Sequence, residues 1–118
     1  MNFSRQTAIV GIGATEFSKN SGRTPMQLAT ECSLKACADA GIDPSLINGI
    51  SVFSAEKNTE IEVARNLGIP ELTFFSMIHH GGGAPGGVMQ QAAMAVHSGV
   101  ADYVLVYRAF NERSWHRF

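Results

Sequence analysis

The sequence predicts an α/β fold, a mainly parallel sheet with helices on both faces, and three observations carry that reading. Short apolar runs rich in β-branched residues alternate with alanine-rich stretches that bear their own helix start and stop signals, in the order β-α-β-α-β-α-β. The last run, Asp102–Tyr107 (DYVLVY), is nearly continuous in apolar character, as expected of a parallel strand covered on both faces. The helical stretches are lined mostly by small side chains, which lets a helix sit close on a sheet.

Taken in order, Thr7–Gly13 (TAIVGIG) reads as the first strand, prolonged by Ala14–Phe17 before a polar loop. Gly11-x-Gly13 resembles the opening of a dinucleotide fingerprint. Glu16 occupies the third glycine's place, however, and no helix opens there, so the pair reads as a tight strand end. Thr24-Pro25-Met26-Gln27 is a capping box with proline at the first helical position. It starts a helix that runs to Gly41, with Leu28, Ala29, Cys32, Ala36 and Ala40 on its buried side. After a turn at Ile42-Asp43-Pro44, Ile47–Phe53 reads as the second strand. Thr59 and Glu62 form another capping box, opening a short helix that turns Ile61, Ala64 and Leu67 inward and stops at Gly68. Pro70 separates it from a third strand, Leu72–Ile78. A third helix begins at Gly86 or Gly87, with Val88, Ala92, Ala95 and Gly99 on one stripe and Met89, Ala93 and Val96 beside it. In the final strand, Tyr103 and Tyr107 read as core residues.

At 118 residues, 45% of them apolar and 16% charged, the chain has room for one domain with a modest core. Nine basic against ten acidic residues, with no basic block or face, disfavour a nucleic-acid partner. No signal peptide is visible, and no apolar run approaches the roughly 18 residues of a membrane span, so the chain reads as cytoplasmic without a membrane partner. Cys32 and Cys37 stand five apart in one helix, where their side chains leave on different faces, so no disulfide is expected between them. Metal-ligand spacing is also missing, and no metal is expected.

The stretch that carries chemistry is Phe74–Gly87 (FFSMIHHGGGAPGG), a strand that runs into two histidines, a glycine-rich turn and a helix start. Such a junction presents backbone N–H groups to an anionic or oxyanionic ligand. Gly81, Gly82, Gly83, Gly86 and Gly87 read as meeting a need for positive φ or for close backbone approach, the alternative being a merely flexible turn. No Lys-Ser/Thr pair follows them, so the turn is not a P-loop. His79 and His80 are adjacent, so on an extended chain only one of them can look into the site. That one is a candidate acid/base or donor, against the plainer reading of a histidine bonded to backbone at a strand end or subunit interface. Neighbouring histidines do not chelate one ion.

IVGIGATEFSK, TPMQLATECSLKACADAGI, the glycine-rich turn, SGVADYVLV and the RAFNERS tail together resemble the thiolase superfamily. The closest likeness is to its sterol-carrier-protein-X-like and lipid-transfer-protein-like branch. The resemblance covers essentially residues 1–118, which on this reading are the N-terminal part of a thiolase-like domain whose C-terminal half is absent. It implies a nucleophilic cysteine at the turn after the third strand, where a helix N-terminus lowers the thiol pKa. Gap-free alignment through SGVADYVLV puts Gly82 at that position. Glycine cannot form the acyl-enzyme of an ordinary thiolase or acetyltransferase.

A glycine-rich turn in its place is similar to the branch's aldolases of steroid side-chain degradation, which cleave a β-hydroxyacyl-CoA by retro-aldol chemistry. That reaction needs a base and enolate-stabilising donors but no covalent intermediate. The resemblance then implies backbone donors at Gly81, Gly82, Gly83 and Ala84 and puts Asn111 and Ser114 beside the substrate, the alternative being an exposed polar tail, while His79 or His80 is the acid/base candidate that the residues themselves offer. Catalytic tyrosines are expected from the absent half. No cofactor is implied beyond the coenzyme A of the substrate. A homodimer formed through the strand Leu72–Ile78 is implied, together with a small OB-fold, zinc-ribbon partner protein. Two other readings stay open: an acetyltransferase-like protein, and a non-catalytic half-domain that dimerises or docks onto another chain and is inactive alone.

Overall fold

The computed structural model describes residues 4–54, 59–79 and 81–110. Three helices and three strands follow one another: α1 (Pro25–Ala40), β1 (Gly49–Phe53), α2 (Glu60–Leu67), β2 (Phe74–Ile78), α3 (Ala84–His97) and β3 (Val104–Val106), with one 3-10 turn at Pro44–Leu46. The sheet has the order β2-β1-β3 and every pairing in it is parallel. Ile50 stands between Phe75 and Leu105, and Ser51 between Ser76 and Val106.

The helix signals act as their chemistry dictates. Gln27 N donates to Thr24 Oγ1 at 3.1 Å, and Thr24 N donates to Gln27 Oε1 at 2.8 Å. The same reciprocal pair joins Thr59 and Glu62 at 3.1 and 3.2 Å. Gly41 and Gly68 close the two helices in the left-handed conformation, at φ 72° and 74°. Without a Cβ they take it at little cost.

Side-chain alternation sorts the sheet's faces. Ile50, Val52, Leu105 and Tyr107 pack with Leu28, Ala29 and Cys37 of α1 and with Val63, Ala64 and Leu67 of α2. The opposite face meets α3, where Ser51 Oγ donates to the Val88 carbonyl at 3.0 Å and lies 3.0 Å from Ser76 Oγ. Helices therefore cover both faces, as the sequence predicts. Asn48 ties the strand starts together. Its Oδ1 accepts from Asp102 N at 2.8 Å and Tyr103 N at 3.3 Å, and its carbonyl accepts from Thr73 N at 2.8 Å.

Four expectations are corrected. Thr7–Gly13 belongs to no strand among the described residues. It lies instead on α1, where Ile12 N donates to Asp39 Oδ2 at 2.9 Å and Lys35 Nζ to the Ala14 carbonyl at 3.2 Å. In α2 the inward face is Val63, Ala64 and Leu67, whereas Ile61 is 53% exposed, because the helix is turned so that Val63 takes the buried place beside Ala64 and Leu67 in the core. On α1, Ser33 and Cys37 are buried while Cys32, Ala36 and Ala40 are only half-buried. The third helix begins at Ala84 rather than at Gly86 or Gly87, with Pro85 in its first turn. Proline's fixed φ suits that position, where a missing N–H leaves no bond unmade.

Candidate functional site

The site lies at the carboxyl ends of the parallel strands, where open α/β sheets present their functional loops. Residue His79 follows β2 directly and is exposed. Gly81–Gly83 form a turn, also exposed, that feeds α3, whose N-cap Gly83 has no side chain to satisfy the first N–H groups. The turn is closed by Ala84 N donating to the Gly81 carbonyl at 3.1 Å, and Gly87 N donates to the Gly83 carbonyl at 3.3 Å. Ala84 is buried and its N–H already engaged. The N–H groups of Gly82 and Gly83 donate to none of the described residues and stand at the positive end of the helix dipole.

The glycines do not meet the need read for them. None of Gly81, Gly82, Gly83, Gly86 or Gly87 has positive φ. A Cβ on Gly81, Gly82, Gly83 or Gly86 would meet nothing within 4 Å, and only Gly87 is pressed, with Ile78 Cγ2 at 3.2 Å from its Cβ position. At Gly81–Gly83 the missing side chains leave open space at a helix start, the room a ligand needs to approach backbone donors.

No other group in this turn can replace the missing nucleophile. Neither cysteine is in a disulfide, and both sit on α1. Burial, with the Asp43 carboxylate nearby, pushes the Cys37 thiol pKa up, away from the reactive thiolate. Among the described residues no three His, Cys, Asp or Glu side chains gather in a way that could hold a metal ion. His80, Asn111 and Ser114 lie outside the described residues.

Two features at this end of the sheet escape a sequence reading. Arg108, exposed just past β3, stacks its guanidinium 4.3 Å from the Phe110 ring centroid and 5.6 Å from that of Phe53 at the end of β1. Only the topology brings Phe53 and Arg108 together. The second is the Ser51–Ser76 hydroxyl pair, with Ser51 buried and Ser76 half-buried, which anchors α3 through the Val88 carbonyl and so fixes where the glycine turn stands.

With this geometry in hand, likeness to known proteins becomes informative. No protein-family profile matches the sequence. The chain is 62% identical over 115 residues to the 17-hydroxy-3-oxo-4-pregnene-20-carboxyl-CoA lyase of Mycobacterium tuberculosis, a match covering 98% of this chain and 30% of that protein. A solved structure named Ltp2-ChsH2(DUF35) aldolase superposes with a TM-score of 0.89 at 61% identity, over 92% of this chain and 28% of that one. A monomeric SCP2-thiolase-like protein of Mycobacterium smegmatis superposes at 0.68 and 26% identity, over 83% of this chain and 22% of its own. The chain thus spans under a third of each of these proteins.

A parallel sheet between helices, with a glycine turn opening a helix at its carboxyl edge, is here a half-domain of the thiolase superfamily. Within it the chain stands in the lipid-transfer-protein-like branch, beside the steroid side-chain-cleaving aldolases.

Proposed function

We propose that this chain is part of a thiolase-fold enzyme that cleaves a β-hydroxyacyl-CoA by a retro-aldol reaction, with a steroid side chain as the acyl class. The observation that carries the reading is the turn itself: open space at Gly82 and Gly83, N–H groups that donate to none of the described residues, and no cysteine in the turn. The name of the mycobacterial lyase supports the acyl-CoA class.

In the reaction a base takes the β-hydroxyl proton and the Cα–Cβ bond breaks. Its electron pair enters the thioester as an enolate, and a ketone leaves. The enolate then takes a proton at carbon to give the shorter acyl-CoA. Charge grows on the thioester oxygen, and the Gly82 and Gly83 N–H groups are the donors for it, aided by the dipole of α3. His79, at the end of β2, is the acid/base candidate of this half. An acyl-cysteine route has no residue to run through in this turn. Coenzyme A enters as part of the substrate, and no further cofactor is needed for these steps.

The active particle on this reading contains more than this chain. A second copy pairs along the outer edge of β2, where Phe75 and Met77 are 63% and 45% exposed. A partner protein joins it, as the name of the superposed aldolase indicates for that complex. The test is to isolate the native particle under non-denaturing conditions, identify every polypeptide in it, and supply a steroid β-hydroxyacyl-CoA. Ketone and a shorter acyl-CoA are expected, with His79→Ala lowering kcat by about a hundredfold or more. Thioester exchange without carbon–carbon cleavage would refute the retro-aldol reading. A particle of this chain alone with no turnover would leave a non-catalytic half-domain.

A further inference from the structure

Asn48-Gly49 is the one Asn-Gly pair in the sequence, and it stands where β1 begins. Both residues are demanded there. A Cβ at Gly49 would lie 2.9 Å from Val104 Cγ2 and 3.2 Å from Ala101 Cβ, so any side chain at this position would push β3 and the chain entering it aside. The Asn48 amide joins the same two segments: its Oδ1 accepts from Asp102 N and Tyr103 N, and its Nδ2 donates to Asp102 Oδ2 at 3.3 Å. The pair that the fold needs is also the chain's readiest site of deamidation, because a glycine puts no side chain in front of the amide nitrogen that attacks the asparagine. In that reaction Gly49 N loses its proton and bonds to Asn48 Cγ, the Cγ–Nδ2 bond breaks, and ammonia leaves behind a cyclic succinimide. Water then opens the ring at either carbonyl, giving an aspartate or an isoaspartate at position 48. Water is the only co-reactant.

In the folded chain both reacting groups are held. Gly49 N donates to the Tyr103 carbonyl at 3.2 Å, which keeps its proton in place and aims the nitrogen at the chain entering β3 rather than at the side chain before it. Asn48 N donates to the same carbonyl at 3.1 Å, and the three hydrogen bonds of the Asn48 amide fix Cγ. Gly49 is buried and Asn48 half-buried. Attack therefore requires the start of β3 to part from the start of β1.

We propose that Asn48-Gly49 is a deamidation site gated by the sheet, silent while β1 and β3 are joined at their starts and reactive whenever they part. The isoaspartate product makes the opening one-way. It adds a methylene to the main chain between residue 48 and Gly49. The carbonyl ahead of Gly49, which accepts from Thr73 N and Phe74 N, and the Gly49 N–H can then no longer both meet their partners. The inference concerns the lifetime of the folded chain and stands whether or not the assembled protein is a lyase.

The test follows position 48 by digestion and mass spectrometry in the native particle and in a synthetic peptide of residues 46–52, both held at one mildly alkaline pH. The peptide should deamidate, and the particle should do so about tenfold or more slowly, since only its open fraction reacts. Amide hydrogen exchange supplies an independent measure, because exchange at Gly49 N needs the same bond to Tyr103 broken. Its protection factor should be above one and no greater than the slowing of deamidation. Asp102→Ala, which removes the acceptor for Nδ2, should raise the particle's rate about threefold or more, whereas Asp102→Asn, which keeps an acceptor, should not. Isoaspartate should collect in chains shed from the particle. Deamidation of the particle at the peptide's rate would overturn the proposal. So would slow deamidation beside a freely exchanging Gly49 amide, a protection factor larger than the slowing, or isoaspartate kept in the folded particle in the same proportion as in the shed chains. Should Asp102→Ala fail to fold, the exchange measurement on the unaltered particle decides alone.

Discussion

Glycines that look alike in the sequence do different work. Gly11 and Gly13 resemble a nucleotide loop but serve a close approach of backbone to α1, whereas Gly81–Gly83 line open space. Gly13→Ala must move the Cys32 carbonyl or lift the segment, and should cost about 1–3 kcal/mol in thermal or denaturant unfolding. Gly82→Ala should change stability by about 0.5 kcal/mol or less, since its φ is ordinary and its Cβ meets nothing. Parallel melts of the two variants check the contrast, and equal losses would contradict it. Restoring a thiol tests the turn's electrostatics. Gly82→Cys, exposed at the start of α3, should react with iodoacetamide at neutral pH far faster than Cys37, which is 4% exposed and whose burial raises its pKa.

At the scale of elements, the sheet depends on one side chain that no strand contains. Asn48 joins the chain before β1 to the chain before β3 through its amide, and to that before β2 through its carbonyl. Asn48→Ala removes the acceptor for Asp102 N and Tyr103 N, leaving one half-buried donor to find water, and should cost about 2–3 kcal/mol. Asn48→Asp, which keeps an acceptor at Oδ1 while placing a second carboxylate near Asp102, should recover part of that loss and recover more of it in high salt. Urea unfolding of the three proteins distinguishes a local hydrogen-bond role from a packing one. The capping boxes of α1 and α2, by contrast, are fully local and were readable residue by residue.

The whole molecule is shaped by what covers its sheet. Two helix layers cover the middle of it, and two edges stay open in the described chain. Phe75 and Met77 share a face with Ile50 and Val52, yet α1 and α2 do not reach them. On the reading of β2 as a dimer strand, Met77→Lys places a charge on that apolar edge and should shift the native mass from dimer toward monomer, by sedimentation or light scattering. An unchanged dimer would move the interface elsewhere.

The sequence by itself determined the α/β class, the three helices with both ends of α1 and α2, and the three strands that pair. These rest on signals a few residues long: alternation, capping boxes, a terminal glycine. Tertiary structure decided the rest. Thr7–Gly13 has every local mark of a strand, but a strand is defined by a neighbour, and among the described residues none pairs with it. Small residues on α1 and α3 read simply as buried, and only the fold divides them between buried and half-buried places. Arg108 meets Phe53 across a chain separation that no motif spans. Local chemistry sets which conformation each segment prefers, while contacts between distant segments set which of those preferences find a partner.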